Sequence, residues 1–128
     1  MIFGTGIDIV EVFRVKDAIS KWGDSFLRKV FTDNEIEYAT SKRFAYQHYA
    51  ARFAAKEAVI KAFGGIGAHP VRWTDIEIIN NADGKPEIKL RKTAATMKRN
   101  KKVDDIFVSM SHSKNYAVAN VILTKTER

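Results

Sequence analysis

The sequence predicts an α+β fold in which an antiparallel sheet packs on one long helix, with several short helices beside it. The long helix is indicated by an alanine-rich segment, 45–63, which has no internal glycine or proline and ends at Gly64-Gly65. The sheet is indicated by short segments with strand-like apolar patterns near both ends of the chain. The short helices are indicated by apolar residues at helical spacing between residues 12 and 41.

In chain order, residues 2–10 predict a first strand that ends near Asp8, and 12–22 predict an amphipathic helix. A short helix is expected over Phe26–Val30. Thr32 followed by Glu35 fits a capping box, which predicts another helix through about Ser41.

The second half of the chain predicts a hairpin of strands 73–79 and 87–90 around the turn Ala82-Asp-Gly-Lys85. Residues 91–102 are helical or irregular and strongly basic, and 106–111 and 116–124 predict two strands joined near Lys114-Asn115. The chain has 128 residues, two prolines and no linker or repeat, so residues 1–128 are expected to form one domain.

Composition narrows the class of protein. There is no cysteine, which excludes disulfides and thiolate metal sites. The N-terminus lacks a basic leader and no apolar run approaches membrane-spanning length, so we expect a cytoplasmic protein without a membrane segment. The net charge of +7 favours an anionic partner: nucleic acid, a phosphorylated small molecule, an acidic protein or a membrane surface.

Glu57 is the first candidate for chemistry. Phe53, Glu57 and Lys61 are four residues apart and share one face of the predicted long helix. A carboxylate among alanines and aromatics is unfavourable unless a partner compensates its charge. An ordinary surface pair of Glu57 with Lys61 explains the same pattern.

Asp8 is the second candidate, because it interrupts an apolar strand just after Gly6. Two carboxylates from distant segments are what Mg²⁺ usually takes from a protein, with phosphate oxygens and water completing the octahedron. The alternative is that Asp8 caps the helix that starts near Glu11. The residues alone leave both interpretations open.

The segment Ser111-His112-Ser113 is the third candidate. A serine hydrolase is disfavoured, because there is no Gly-x-Ser-x-Gly motif and neighbouring strand residues point to opposite faces. Hydroxyls and a histidine at a strand end suit hydrogen bonds to phosphate. A plain polar turn over 112–115 is the alternative.

A basic run is the fourth feature, and such a run usually forms a solvated face. A small module that binds RNA or another polyanion is the competing function. It leaves Asp8 and Glu57 unexplained, and the run has no aromatic residue for stacking on bases. The cations of this run are Arg91, Lys92, Lys98, Arg99, Lys101 and Lys102.

In their order along the chain, these blocks resemble the holo-acyl-carrier-protein synthases. The matching blocks are Gly6-Ile7-Asp8 with Arg14, Phe53-Ala-Ala-Lys-Glu-Ala58 with Lys61 and Gly64, and Ser111-His112 with Tyr116-Ala117. Segments 73–77 and 84–86 also resemble the family pattern, so the resemblance covers nearly the whole chain. The stretch 65–70 departs from it, because the family is often more extended or glycine-rich there.

The resemblance implies a magnesium-dependent transferase that moves the 4′-phosphopantetheine arm of coenzyme A to a serine of apo-acyl carrier protein in fatty acid biosynthesis. Adenosine 3′,5′-bisphosphate is the other product. Asp8 and Glu57 match the magnesium ligands, and Glu57 and Lys61 are the expected catalytic residues. Glu57 is expected to accept the serine proton, directly or through a water on the metal. The expected contacts to coenzyme A are Arg52, Lys61, Gly64, Ser111 and His112.

The resemblance also implies partners. The acidic carrier protein is expected to dock on the first helix through Arg14, Lys21 and Arg28, with Arg43 and Phe53 nearby. A homotrimer with coenzyme A held between subunits is implied, and neither nucleic acid nor a membrane is expected as a partner. A branch of phosphopantetheinyl transferases that serves peptide- or polyketide-synthase carriers is disfavoured, because those proteins are generally longer.

Overall fold

The computed structural model describes residues 1–65 and 71–126. The first half contains one strand followed by four helices, and the second half contains two strand pairs separated by a helix. The elements are β1 (Ile2–Glu11), α1 (Val12–Trp22), α2 (Asp24–Val30), α3 (Asp33–Thr40), α4 (Ala45–Ala62), a 3₁₀ turn (Trp73–Asp75), β2 (Ile76–Asn80), β3 (Pro86–Leu90), α5 (Lys92–Asn100), β4 (Asp105–His112) and β5 (Tyr116–Thr124). The predicted α+β class is confirmed.

Two antiparallel sheets build the fold. A three-stranded sheet has the order β1-β5-β4, and β2 and β3 form a separate hairpin. The inner face of the larger sheet packs on α4, because Ala119, Val121 and Leu123 of β5 share a buried cluster with alanines of that helix. Ala117 of β5 belongs to a second buried cluster, together with Ala50 and Ala51 of α4. This packing places α4 at the centre of the molecule.

Two glycines bring β1 into direct contact with α4. A Cβ atom added at Gly6 would lie 2.0 Å from the Ala58 carbonyl oxygen, and one added at Gly4 would lie 2.1 Å from that of Ala62. Any side chain at either position would therefore push the strand away from the helix. Because strand residues alternate between faces, Asp8 also points toward α4.

One expectation about Asp8 is wrong, and one of its two open interpretations is excluded. The strand does not end near Asp8 but continues to Glu11, because pairing with β5 extends to the Glu11–Tyr116 pair. Helix α1 begins at Val12 with Glu11 in the capping position, so Asp8 does not cap it. Asp8 is thus a strand residue whose carboxylate does not serve as a helix cap.

Most helix predictions are confirmed, with small shifts at the ends. Helix α2 starts at Asp24 rather than Phe26, and the capping box at the start of α3 is present, with Thr32 and Glu35 bonded reciprocally. Helix α4 ends in a Schellman motif: the Gly65 amide donates to the Ile60 carbonyl, and Gly64 adopts a φ of +92°. Within the described ranges, no helix is long and apolar enough to cross a membrane.

The predicted strand 73–79 starts three residues late. Trp73–Asp75 forms a 3₁₀ turn, and β2 runs over Ile76–Asn80. The Lys56 ammonium donates to the carbonyl oxygens of Trp73 and Ile76, at 2.9 and 2.5 Å, which turns the chain back onto α4.

Candidate active site

Asp8, Glu57 and Lys61 come together where β1 crosses the second half of α4. The Lys61 ammonium donates to Asp8 Oδ1 at 2.8 Å and to the Ile7 carbonyl oxygen at 3.2 Å. The Asp8 side chain is 17% exposed and that of Lys61 is 56% exposed, so the pair lies at the edge of the buried region. Lys61 therefore forms its ion pair with Asp8 from a distant segment, and the simple surface pair with Glu57 is not the arrangement seen.

Glu57 is half-buried next to this ion pair. Its Oε1 accepts a hydrogen bond from the indole N–H of Trp73 at 3.3 Å. Burial raises the pKa of the Glu57 carboxyl above its ordinary value, and the charge of Asp8 adds to this rise. The Trp73 hydrogen bond and the charge of Lys61 oppose the rise without cancelling it. The carboxylates of Asp8 and Glu57 thus face one site.

A pocket of about 460 Å³ opens beside the two carboxylates. Asp8 and Glu57 form its polar end, and Arg14 lies on its wall together with the aromatic rings of Phe26 and Phe53. Phe53 is held by Trp73, whose ring centroid is 5.9 Å away. The pocket combines a negative end with a partly apolar wall and one exposed cation.

The donor set fits a hard divalent cation. Across residues 1–65 and 71–126, no group of three or more His, Cys, Asp or Glu side chains could hold a metal. Mg²⁺ is usually held by only one or two carboxylates, with water and substrate phosphates filling the other positions. Asp8 and Glu57 supply that number, and a bound cation would stabilise the charged form of Glu57, which burial and the charge of Asp8 disfavour.

A second group of polar residues gathers at the other end of α4. His112 Nδ1 lies 2.9 Å from Gln47 Oε1, and the rings of His112 and His48 are 4.8 Å apart. Ser111 does not join this group. In the β4–β5 register Ser111 pairs with Val118 and His112 with Ala117, so the two side chains lie on opposite faces of the sheet.

Arg52 is the predicted phosphate ligand that the structure places least favourably. It is 2% exposed, its guanidinium donates to Asn80 Oδ1, and it lies 4.0 Å from the centroid of the Tyr38 ring. Its Nε atom is buried with no hydrogen-bond partner among the described residues. In this single chain, Arg52 does not reach the Asp8 pocket and is closed off from solvent.

Some of the other predicted site residues line the pocket, and others lie away from it. Gly64 follows Lys61 by three positions and serves the helix cap, and the unusual stretch after it falls partly on residues 66–70, outside the described residues. Of the predicted docking residues, only Arg14 and Phe53 line the pocket. The remaining three lie elsewhere: Lys21 pairs with Asp17, Arg28 pairs with Asp33, and Arg43 lies over the ring of Phe44.

Sequence reasoning missed Trp73, Gln47 and His48 as site residues. The sequence pattern predicts Trp73 as the start of a strand. A buried tryptophan needs a hydrogen-bond acceptor for its indole N–H, and this need is the signal that could have linked Trp73 to Glu57. Gln47 and His48 lie in the first turn of α4, and no spacing in the sequence connects them to His112.

Comparison with known proteins shows the family of the chain. Residues 4–121 match the 4′-phosphopantetheinyl transferase superfamily. The chain belongs to that superfamily.

Its relatives narrow the class further. A holo-[acyl-carrier-protein] synthase of Thermodesulfovibrio yellowstonii is 48% identical over 97% of this chain and 100% of its own length. The crystal structure of the holo-[acyl-carrier-protein] synthase of Neisseria meningitidis superposes with a TM-score of 0.86 at 29% identity, covering 98% of this chain and 100% of the other. A holo-(acyl-carrier-protein) synthase of Bacillus anthracis, solved in complex with CoA (3′,5′-ADP), gives a TM-score of 0.79 at 36% identity, covering 98% and 99%. The resemblance to holo-acyl-carrier-protein synthases is confirmed.

Proposed function

We propose that this chain transfers the 4′-phosphopantetheine arm of coenzyme A to a serine of apo-acyl carrier protein, in a magnesium-dependent reaction of fatty acid biosynthesis. The products are holo-acyl carrier protein and adenosine 3′,5′-bisphosphate. The observation that carries the proposal is the meeting of Asp8 and Glu57, 49 positions apart, on one pocket beside Lys61. The proposal treats residues 1–128 as one domain, acting in the cytoplasm.

The reaction joins the serine oxygen to the phosphorus of the pantetheine arm and breaks the bond from that phosphorus to the nucleotide. A magnesium ion held by Asp8 and Glu57 would offset the negative charge of the pyrophosphate, which otherwise repels the serine. The half-exposed ammonium of Lys61 can exchange Asp8 for a phosphate oxygen. Glu57 is proposed to accept the serine proton, directly or through a water on the metal, because its carboxylate lines the pocket in which the serine would meet the pyrophosphate.

The carrier protein is proposed to dock where α1 borders the pocket. The Arg14 side chain is 78% exposed on the pocket wall, at a position from which it can meet an acidic surface. Phe53 and Phe26 offer apolar contact at the same place. Charge complementarity of this kind mainly increases the rate of encounter. Lys21, Arg28 and Arg43 would extend the docking surface beyond the pocket.

A homotrimer with sites between subunits is part of the proposal. Glu57 and His48 are about 180° apart around α4, and His48 and Lys61 are about 20 Å apart along it. The two polar groups thus lie on opposite sides of one helix, so a single copy presents two half-sites. Coenzyme A would bind between the Asp8 pocket of one copy and the His112 group of the next. The number three comes from the resemblance alone.

The outer face of the larger sheet is the surface that supports assembly. Ile7 and Ile9 of β1 are 63% and 66% exposed, and Phe107 of β4 is 54% exposed. Strand alternation places all three on the face away from α4, together with Val118 and Ile122 of β5. An apolar sheet face of this kind needs a cover, and a second copy of the chain supplies one.

Mass spectrometry of a carrier protein tests the transfer. Purified protein is incubated with apo-acyl carrier protein, coenzyme A and Mg²⁺, and the intact carrier is weighed. We expect the carrier to gain the mass of one phosphopantetheine arm, and the gain to disappear when a chelator removes the metal. A carrier of unchanged mass with folded reagents would contradict the proposed function.

A further inference from the structure

Trp73 forms hydrogen bonds with two consecutive residues of α4. The ammonium of Lys56 donates to the Trp73 carbonyl oxygen at 2.9 Å, and the indole N–H of Trp73 donates to Glu57 Oε1 at 3.3 Å. Lys56 therefore holds the main chain of the 3₁₀ turn against α4, and the Trp73 side chain supports the carboxylate of Glu57. This links a carboxylate at the pocket to the buried interior behind it.

Lys56 has no capacity left to bind a ligand. It is 0% exposed, and its ammonium donates to the carbonyl oxygens of Trp73 and Ile76 and contacts Glu35 Oε1 at 2.7 Å. An ammonium carries three hydrogens, so these partners use all of them. The charge of Lys56 therefore serves the interior, and its role in the site is indirect.

Glu35 fixes Lys56 from the other side. Its Oε1 also accepts the amide of Thr32 at 2.8 Å, and its Oε2 accepts the amide of Ile78 at 2.9 Å. The carboxylate thus joins the first turn of α3 to β2 and to α4. Because these elements meet at one buried ion pair, the position of the Trp73 carbonyl is determined by the core of the fold.

The indole in turn limits how Glu57 can move. The Trp73 ring packs against Phe53, with centroids 5.9 Å apart, which keeps its N–H directed at Glu57 Oε1. A carboxylate has about four lone-pair positions, so this one bond leaves most of its capacity for other partners. Hydrogen bonds to metal-ligating carboxylates fix their orientation, and their loss typically weakens metal affinity or activity about 10–100-fold.

We propose that Trp73 is a positioning residue that orients Glu57 for its cation, and that the buried Lys56–Glu35 pair acts through Trp73. The inference rests on the proposed function, since it takes Glu57 to be a cation ligand. It adds three residues, none of which touches the substrate, to those that determine how well the site works.

Replacing Trp73 by phenylalanine tests the inference, because it removes the N–H and keeps an aromatic ring on Phe53. Binding of Mn²⁺ in the presence of coenzyme A is followed by the electron paramagnetic resonance signal of the free ion. We expect W73F to bind Mn²⁺ about tenfold more weakly than wild type. Its kcat should fall, while its KM for the carrier protein should not change. W22F, at an exposed tryptophan, is the matched control and should behave as wild type.

Mn²⁺ affinity and kcat of W73F within twofold of wild type would overturn the positioning role. Wild-type protein that neither binds Mn²⁺ nor transfers the arm would instead overturn the proposed function, and the inference with it. The two failures are therefore distinguishable in one series of measurements.

A second measurement does not depend on the folding of W73F. The chain has two tryptophans, so W22F leaves Trp73 as the sole indole fluorophore. We expect its emission to change as Mg²⁺ is added with coenzyme A, with the same midpoint as activation of transfer. The change should be lost when E57Q is introduced. Emission that stays constant through full activation by Mg²⁺ would contradict the inference.

Discussion

Lys56 and Glu57 are neighbours in sequence, and their side chains have opposite environments. A rotation of about 100° per residue directs Lys56 into the core and Glu57 toward the pocket. Lys56 is fully buried with an ion pair and two carbonyl contacts, while Glu57 keeps part of its surface in contact with solvent. One turn of α4 therefore supplies a buried ion pair through Lys56 and a pocket carboxylate through Glu57.

His48 gives the fold a dependence on pH at the residue scale. Burial lowers the pKa of His48 below its ordinary value of 6.5, and the positive charges of His112, Arg52 and Lys42 lower it further. The unfolded chain therefore binds the proton more readily. The stability contributed by neutral His48 is complete above the unfolded pKa of 6.5 and is lost as pH falls through the lower folded value.

We predict that H48Q loses less unfolding free energy than wild type between about pH 7 and pH 5, because glutamine takes up no proton there. Urea denaturation at a series of pH values measures this. Equal losses in the two proteins would show that protonation of His48 does not couple to folding.

Arg14 should affect the carrier protein and not the nucleotide. We predict that R14E raises the KM for acyl carrier protein at least several-fold, since it reverses a charge that faces an acidic partner. The KM for coenzyme A should change little. Steady-state kinetics with each substrate varied in turn measures both constants. K101E is the charge-matched control on an exposed residue away from the pocket, and equal effects of R14E on both substrates would contradict the docking surface.

At the scale of elements, the site depends on how closely β1 approaches α4. We predict that G6A lowers the free energy of unfolding by about 1–3 kcal/mol and greatly reduces transfer, because its Cβ would lie 2.0 Å from the Ala58 carbonyl oxygen. The strand must then shift and carry Asp8 away from Lys61. Chemical denaturation and the transfer assay measure the two effects.

G23A is the control for this prediction. Gly23 has a positive φ, of 53°, but a Cβ atom there would have open space around it. We expect G23A to lose some stability from backbone strain and to keep its transfer activity. Full activity in G6A would show that the close approach of strand and helix is not what places Asp8.

Helix ends that depend on neighbouring residues were predicted well from the sequence. The capping box of Thr32 and Glu35 and the glycine cap of α4 are short-range features, and both were present as expected. The face shared by Phe53, Glu57 and Lys61 followed from helical periodicity. The resemblance implied that Asp8 meets Glu57, and the close contact of β1 with α4 at Gly6 explains how the strand brings Asp8 to that face.

Other parts of the site could not be predicted from local pattern. The Trp73–Asp75 turn has a strand-like sequence. Lys56 donates from across the core to the carbonyl oxygen of Trp73 and to that of Ile76, which directly follows the turn. A lysine in the middle of a helix gives no sign that it will be buried, since burial depends on Glu35 arriving from α3. Arg52 stays a predicted contact to the phosphates, and its burial depends on Asn80 and Tyr38, whose proximity no local pattern indicates.

At the scale of the whole molecule, the two half-sites on opposite sides of α4 give the assembly a testable consequence. We predict that D8A and H112A are each nearly inactive alone and that co-refolded mixtures regain activity. A mixed interface can combine the intact Asp8 of one chain with the intact His112 of another, and random mixing gives this at roughly a quarter of the sites.

The activity of such mixtures is measured by the same transfer assay after the oligomer is isolated by size-exclusion chromatography. Each variant refolded alone is the control. Mixtures that only match the sum of the separate activities would place all residues of the site in one chain.

The most direct test of the account is the mass of apo-acyl carrier protein after incubation with coenzyme A, Mg²⁺ and either E57Q or E37Q. Both variants remove one carboxylate, but Glu37 lies on the exposed side of α3 while Glu57 faces the pocket. The account predicts that E37Q adds the phosphopantetheine arm at the wild-type rate and that E57Q, although folded, adds essentially none. Transfer by E57Q at a rate close to that of E37Q would contradict the assignment of the Asp8–Glu57 pocket as the site of the reaction.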